Sequence, residues 1–192
     1  NTATGQLSLK SQPDFETKST YSISVVSTDA GGKSYSKAFK ISISDANDTP
    51  TITSTSITAS KEDSAYSYKF AASDVDSGDT VTYAATKLPS WLKFNAGTGV
   101  LYGTPTNSEV GAHSVVLTAT DSSGAVDTQS FTITVSNVND TPTVTSTAVT
   151  AAKEDSAYSY TFAASDVDTG DTITYAATKV PSWLSINSST GV

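Results

Sequence analysis

Apolar and polar residues alternate with a period of two along much of the chain. In segments 21–25, 39–43 and 131–135, Tyr, Phe, Ile or Val alternates with Ser, Thr or Lys. This period places apolar side chains on one face of a strand and polar side chains on the other. No window carries the i, i+3, i+4, i+7 apolar stripe of an amphipathic helix. The pattern therefore predicts an all-β chain with very little helix.

An internal repeat organises the chain. Residues 49–100 and 141–192 align without gaps at an offset of 92 residues, and 40 of the 52 aligned positions are identical. The same offset relates Asp29 to Asp121 and Phe39 to Phe131, so the N-terminal residues match the back half of the repeat. A repeat of this period identifies one supersecondary unit used several times along the chain.

The repeat predicts three parts. Residues 1–48 form the C-terminal half of a module, residues 49–140 form a complete module, and residues 141–192 form the N-terminal half of another. About seven short strands in roughly 90 residues, with turn signals between them, indicate an immunoglobulin-like Greek-key β-sandwich. Half-modules leave sheet edges and core faces unpaired, so neighbouring molecules could complete each other head to tail. The alternative is that a longer chain is simply cut at these points.

Composition excludes several classes of function. With 11 Lys and Arg against 19 Asp and Glu, the chain lacks the basic surface that binds nucleic acid. No apolar run approaches the ~20 residues that span a bilayer, so no membrane insertion is expected in this segment. Its one histidine, His113, corresponds to Tyr21 in the preceding repeat, and no nucleophile elbow, phosphate loop or zinc motif is present. We therefore expect a protein that is not an enzyme.

The acidic residues gather at the ends of predicted strands. Residues 74–79 read Asp-Val-Asp-Ser-Gly-Asp, and residues 45–50 read Asp-Ala-Asn-Asp-Thr-Pro where one module meets the next. Two carboxylates ~5 Å apart repel by ~3 kcal/mol at an effective dielectric constant of 20, so such groups need a cation between them. Many hard oxygen ligands suit Ca²⁺. A single Asp in a turn more often caps its own backbone, but the ordered set favours calcium.

These motifs resemble the calcium motifs of cadherin repeats. They occur in the family's order as Asp14-Phe15-Glu16, Ser27 to Gly32, Asp45 to Pro50 and Asp74-Val75-Asp76. The central module is similar to the bacterial and dystroglycan-type cadherin-like variant in Pro89-Ser90-Trp91-Leu92 and in residues 99–105 and 109–111. The resemblance implies tandem cadherin-like β-sandwiches with Ca²⁺ bound between successive modules.

The resemblance implies a set of oxygen ligands at each junction. At the first junction they are Asp14, Glu16, Asp45, the main-chain oxygen of Asn47, Asp48, Asp74, Asp76 and Asp121. At the second they are Glu62, Glu109, Asn137, Asn139, Asp140, Asp166 and Asp168, while Asp79 and Asp171 are left open. Here Thr106-Asn107-Ser108-Glu109 replaces the Asp-x-Glu motif and Asn137 replaces Asp45, so we expect fewer or weaker calcium ions.

Two functions from different classes follow. The first is a segment of an extracellular, calcium-rigidified tandem array in a cell-surface adhesin, stalk or filament, because weak calcium sites suit the millimolar calcium outside cells. The second is a carbohydrate-binding or spacer module of a secreted polysaccharide-degrading enzyme, for which Trp91 and Trp183 would be sugar-stacking platforms. The Pro-Ser-Trp-Leu context favours a core position for both rings. The partners expected are neighbouring modules and a cell-surface or carbohydrate ligand.

Overall fold

The computed structural model describes residues 4–192; residues 1–3 of the predicted first half-module lie outside the described residues. The strands are β1 (Thr20–Thr28), β2 (Ser34–Ser42), β3 (Thr51–Ile52), β4 (Ala59–Lys61), β5 (Tyr66–Lys69), β6 (Ala72–Ser73), β7 (Thr82–Lys87), β8 (Leu92–Asn95), β9 (Val100–Gly103), β10 (Gly111–Thr120), β11 (Val126–Ser136), β12 (Thr143–Val144) and β13 (Ala164–Ser165). A single 3-10 turn, Asn107–Glu109, is the helical element of this part of the chain. None of the helices described could cross a membrane.

Residues 49–140 form a two-layer β-sandwich. One layer has the strand order β4-β11-β10-β7, in which β4 runs parallel to β11 and the other pairs are antiparallel. The other layer is the sheet β5-β9-β8, with the short pair β3-β6 beside it. After β7 the chain crosses to the second layer for β8 and β9 and returns to pair β10 with β7, a Greek-key type of connection. The predicted all-β sandwich is confirmed; the three-part division of the chain stays a prediction.

The core fills the space between the two layers. Tyr66, Tyr68 and Leu101 from one layer pack towards Leu117 and Ile133 from the other, and all five are buried. Each aliphatic side chain removed from water in this way contributes ~1.5–3 kcal/mol. The sandwich therefore has the hydrophobic support to hold the loops at its two ends in fixed positions.

The first half-module is a long hairpin with a largely open apolar face. β1 pairs with β2 over their full lengths, from Thr20 opposite Ser42 to Thr28 opposite Ser34, as the alternation predicts. The residues of its apolar face are nevertheless half-buried or exposed, including Ile23, Phe39 and Ile41. In the central module the matching hairpin β10-β11 is covered by the layer β5-β9-β8. No such second layer covers β1-β2 within residues 4–192.

Residues 141–192 keep the turns of the repeat but form few strands. Of the described residues after 142, only β12 and β13 are in strands. In residues 49–140, β9 pairs with both β5 and β8, and β10 pairs with β7; residues 141–192 contain no complete counterpart of β9 or β10. The local contacts persist: Phe162 N–H donates to the Gly191 carbonyl at 2.8 Å, as Phe70 N–H donates to Gly99.

Gly103 is required where β9 passes beneath the indole of Trp91. A Cβ at this position would overlap the Trp91 carbonyl oxygen and lie 3.1 Å from its carbonyl carbon. We expect Gly103→Ala to lower the free energy of unfolding by about 3 kcal/mol, because backbone atoms cannot yield as a flexible side chain can. Gly97→Ala is the control, since its Cβ would meet only the Asn95 side chain at 3.5 Å. Equal denaturant midpoints for the two variants would contradict the packing described.

Candidate metal sites at the module junctions

Two short antiparallel pairs bring the acidic segments together. β3 pairs with β6, Thr51 opposite Ser73, so the linker before β3 lies beside the acidic loop after β6. β12 pairs with β13 in the same way, Thr143 opposite Ser165. We call the surroundings of residues 44–50 the first junction and those of residues 136–142 the second junction. Each junction thus combines a linker with an Asp-x-Asp loop.

Main-chain hydrogen bonds fix both loops. The N–H of Asp48 donates to Asp76 Oδ2 at 2.7 Å, and the N–H of Asp140 donates to Asp168 Oδ2 at 2.6 Å. Within each loop the third residue donates its N–H to the first, at 3.0 Å for Asp76 to Asp74 and 2.9 Å for Asp168 to Asp166. The bonds within each loop close Asx turns, and the four bonds together use one oxygen of each carboxylate. The remaining oxygens are left for other partners.

At the first junction three carboxylates from three segments converge. Oxygens of Glu16, Asp45 and Asp76 lie within 4.8 Å of one another, and we name these residues the first acidic group. The main-chain amide of Glu16 favours its ionised form, but desolvation and the neighbouring Asp45 carboxylate together raise the pKa of Glu16. Like charges held this close favour either protonation or a bound cation.

At the second junction a deeply buried group forms. Oxygens of Glu62, Asp140 and Asp168 lie within 4.8 Å of one another, and these residues are the second acidic group. Glu62 is 0% exposed and Asp168 is buried, while Asp140 is half-buried. Glu62 Oε1 accepts the N–H of Val138, which ties the start of the central module to the linker that leaves it. Desolvation raises the pKa of Asp140, and the Asp168 carboxylate raises it further.

Each Asp-x-Asp loop adds one more carboxylate. Asp79 joins Asp74 and Asp76, and Asp171 joins Asp166 and Asp168, with oxygens of each trio within 4.8 Å of one another. Because Asp76 and Asp168 belong to both kinds of group, the carboxylates of each junction are continuous. The structure therefore places Asp79 and Asp171, left open by the sequence, beside the expected ligands.

The buried oxygens without partners support a cation at these groups. Among residues 4–192, five buried side-chain polar atoms have no hydrogen-bond partner, and four of them are carboxylate oxygens at the junctions: Glu62 Oε2, Asp74 Oδ2, Asp76 Oδ1 and Asp79 Oδ2. A buried anion without a partner is costly, so native proteins pair it or coordinate a metal. The donor set is all oxygen, which is the preference of Ca²⁺. The residues present therefore fit a calcium ion.

Three other expected ligands of the first junction are satisfied by the protein. Asp14 accepts the N–H and the hydroxyl of Thr17, which lowers the pKa of Asp14. Asp121 is buried; it accepts the Asn47 amide at 2.9 Å, which lowers its pKa, and the N–H groups of its own turn. Asn47 also donates to the Asp48 carbonyl at 2.8 Å. These residues shape the first junction without joining its acidic group.

The amides and Glu109 of the second junction are also engaged. Asn139 donates to the Asp140 carbonyl at 2.8 Å, as Asn47 does at the first junction. Glu109 turns back to accept the N–H and the hydroxyl of Thr106, and these bonds lower the pKa of Glu109. Asn137 accepts the Asn107 amide at 3.3 Å. None of the three is brought into the second acidic group.

Sequence reasoning missed two participants in the second junction. The sequence indicates Asn107 only as part of a motif that departs from the family, yet its side-chain amide donates a hydrogen bond to Asp168 Oδ1 at 3.1 Å. Asp63, which is not among the expected ligands, adds to the raised pKa of Asp140. Its position next to Glu62 is the signal that could have identified it. Nothing in the sequence indicated the direction of the Asn107 side chain.

The two tryptophans differ in their surroundings. Trp91 packs edge to face against Tyr66 and His113, at ring-centroid distances of 5.8 Å, and its indole nitrogen is buried. The predicted core position is confirmed for Trp91. The prediction is wrong for Trp183 in this chain: it is 65% exposed, although it keeps its edge contact with Tyr158. Residues 141–192 contain no counterpart of Gly103 or His113, which contact Trp91.

Comparisons with solved structures place the fold beside cadherin extracellular domains. The protocadherin gammaB7 EC3-6 cis-dimer structure matches with a TM-score of 0.58 and 20% identity, covering 93% of this chain and 52% of that one. The protocadherin gammaB4 extracellular domain matches with a TM-score of 0.54 and 24% identity, covering 93% of this chain and 34% of that one. At this identity the likeness shows the fold alone.

Curated relatives and a family model complete the comparison. The "Serine-rich adhesin for platelets" of Staphylococcus aureus (strain MRSA252) is 32% identical over 109 residues, which cover 57% of this chain and 8% of the adhesin. The same adhesin of strain MSSA476 matches at 32% over 109 residues, and the match covers 5% of its length. The chain thus spans less than a tenth of these relatives. A family model matches residues 49–136 and 141–192, and the chain belongs to that family, described as "Putative Ig domain" (He_PIG).

Proposed function

We propose that the chain is a segment of a tandem array of cadherin-like modules of the bacterial type, linked by Ca²⁺, in a cell-surface adhesin or stalk. The observation that carries the proposal is the second acidic group, where the fully buried Glu62 has a carboxylate oxygen with no partner beside Asp140 and Asp168. A divalent cation there would neutralise three converging carboxylates. The remaining acids of each Asp-x-Asp loop would complete the oxygen shell.

The origin of the ligands makes the calcium structural rather than catalytic. Glu62 belongs to the central module, Asp140 to the linker and Asp168 to the next module. One ion held by all three would fix the angle between successive modules, and its removal would turn the linker into a hinge. His113, which could have served as a base, instead packs against Trp91 and bonds to the Glu109 carbonyl at 2.6 Å. The arrangement supports a mechanical role and no reaction.

The similarity to the staphylococcal adhesin supports a place on the cell surface. The matched region is a small part of that adhesin, so the similarity supports a repeat of the adhesin type and not a particular ligand. Calcium sites of extracellular modules have dissociation constants of about 10⁻⁴–10⁻³ M. We therefore place the array outside the cell, where it would hold a binding domain away from the surface.

Small-angle scattering with and without a chelator tests the proposed rod. In 10 mM calcium we expect a single well-defined maximum dimension, and in EDTA a broader distance distribution with a reduced radius of gyration, because each freed linker samples bent arrangements. The measurement is made at several protein concentrations, so that association is separated from shape. Identical profiles in calcium and EDTA would refute the rod.

The open faces at the two ends support self-association of this chain. The hairpin β1-β2 matches β10-β11, and the last half-module supplies the residues that such a hairpin covers, including Tyr160, Phe162 and Leu184. We expect the isolated chain to form head-to-tail oligomers, measured as a mass that rises with concentration in light scattering. Phe162→Asp should return the mass to that of a monomer, whereas Ser22→Asp, which pairs with Lys40 on the opposite face of the hairpin, should not. A constant monomer mass across concentrations would contradict this pairing.

A further inference from the structure

We propose that the side-chain amide of Asn107 takes the place of a cation at the second junction, so that the two junctions bind different numbers of calcium ions. The proposal rests on the calcium function proposed above and specifies its stoichiometry. The proposal concerns a single ion position, which at the first junction lies among the carboxylates of the first acidic group. Its counterpart at the second junction is bounded by Ser108, Asn137 and Asp168.

One pair of equivalent atoms shows the exchange directly. Asp76 and Asp168 occupy the same repeat position, and each uses Oδ2 to accept the N–H of its linker Asp. At the first junction the other oxygen, Asp76 Oδ1, is buried and has no partner. At the second junction Asp168 Oδ1 accepts the Asn107 amide at 3.1 Å. At the second junction, therefore, a side-chain N–H group occupies the position next to Asp168 Oδ1. At the first junction the equivalent oxygen, Asp76 Oδ1, is left free for an ion.

The charge around this position changes together with the amide. Glu16 and Asp45 of the first acidic group correspond to Ser108 and Asn137, so three carboxylates become one. The Asn107 amide also donates to Asn137 Oδ1 at 3.3 Å, which joins the linker to the 3-10 turn through neutral groups. A neutral amide bridge of this kind satisfies one carboxylate but could not satisfy three.

The turn that carries Asn107 is rebuilt to hold it. In the first half-module Asp14 accepts the hydroxyl of Thr17 at 2.7 Å, while in the central module the acid and the threonine exchange places and Thr106 donates to Glu109 at 2.7 Å. The cap of the turn is kept, but the acid now lies at its end and the amide of Asn107 reaches the junction. The Glu109 carboxylate therefore bonds to Thr106 and does not reach the second acidic group.

The Asn107 amide engages Asp168 of the second acidic group but leaves the free oxygen of Glu62 without a partner. Glu62 Oε2 remains without a partner beside Asp140 and Asp168, so that position keeps its demand for an ion. The second junction would thus be fixed by fewer ions than a junction that carries the Asp-x-Glu motif. An array that mixes the two kinds of junction has joints that stiffen at different calcium concentrations.

Exchanging the two sequences tests the proposal by counting ions. Native mass spectrometry gives the number of calcium ions bound to the wild-type chain and to three variants. Asn107→Leu with Ser108→Glu and Asn137→Asp should bind one more ion than the wild type, and Phe15→Asn with Glu16→Ser and Asp45→Asn should bind one fewer. Asn137→Asp alone keeps the acceptor for the amide and should leave the count unchanged. Thermal unfolding of each variant establishes that it is folded.

Each outcome separates this inference from the function on which it rests. A wild-type chain that binds no calcium overturns the proposed function and the inference with it. A wild-type chain that binds calcium, with no gain in the first triple variant, overturns the inference alone. If that variant does not fold, the other two decide: a gain of an ion in Asn137→Asp, or an unchanged count in the reciprocal variant, contradicts the replacement by Asn107.

Discussion

Replacing Glu62 by glutamine should have opposite effects on stability with and without calcium. In EDTA we expect Glu62→Gln to raise the free energy of unfolding by about 1 kcal/mol, because a buried carboxylate with an oxygen lacking a partner becomes neutral. The glutamine side chain still offers an oxygen to the Val138 N–H. In 10 mM calcium the variant should be less stable than the wild type by about 2 kcal/mol, because the ion loses its central ligand.

The repeat offers a matched control for this substitution. Glu154 occupies the position of Glu62 in the last half-module, where it is exposed and belongs to none of the acidic groups of residues 4–192. Glu154→Gln should leave urea unfolding unchanged in both buffers. The measurement is a pair of urea titrations for each protein. If calcium raises the free energy of unfolding of Glu62→Gln as much as that of the wild type, this carboxylate does not hold an ion.

Calcium should raise the thermal midpoint of the central module by roughly 10–20 °C. An ion that binds only the native state at a concentration 100 times its Kd contributes about 2.7 kcal/mol, and for a domain of this size 1 kcal/mol corresponds to roughly 4–8 °C. The melting curve is followed by near-ultraviolet circular dichroism, which reports on the buried Tyr66 and Tyr68 and on the partly buried Trp91.

Magnesium is the control for this shift. Mg²⁺ demands a compact octahedral shell and retains its water, so an equal concentration should shift the midpoint much less. Sodium chloride of matched ionic strength accounts for general screening of the acidic surface. Superimposed curves in calcium and EDTA, or equal shifts with the two divalent ions, would argue against a built calcium site.

Local patterning predicted the strands of the fold but not all of their environments. The alternation in 21–25 and 131–135 is found in β1 and β11, because a period of two is a property of the strand itself. The tail of the chain repeats the sequence of the central module at most positions and yet forms only β12 and β13. Strand formation there depends on partners distant in the chain, and local sequence does not carry that information.

The sequence predicted which segments come together at the candidate site, but not which of their side-chain oxygens remain free. The order of motifs brought together Glu16, Asp45 and Asp76, and likewise Glu62, Asp140 and Asp168. Asp121 and Glu109 were expected among the ligands, but each has hydrogen-bond donors within a few residues and is engaged there. Which oxygen of a carboxylate stays free is decided by such local competition, which spacing alone does not reveal.

Calorimetric titration of calcium into the EDTA-treated and dialysed chain measures directly whether the junctions bind the ion. We expect saturable heat with dissociation constants of about 10⁻⁴–10⁻³ M. The binding heat should be smaller for Glu62→Gln and unchanged for Glu154→Gln. The proposed sites require that the heat saturate at a small whole number of ions per chain. A titration that shows only the heat of dilution, at protein concentrations near the expected dissociation constants, would contradict calcium as the link between the modules.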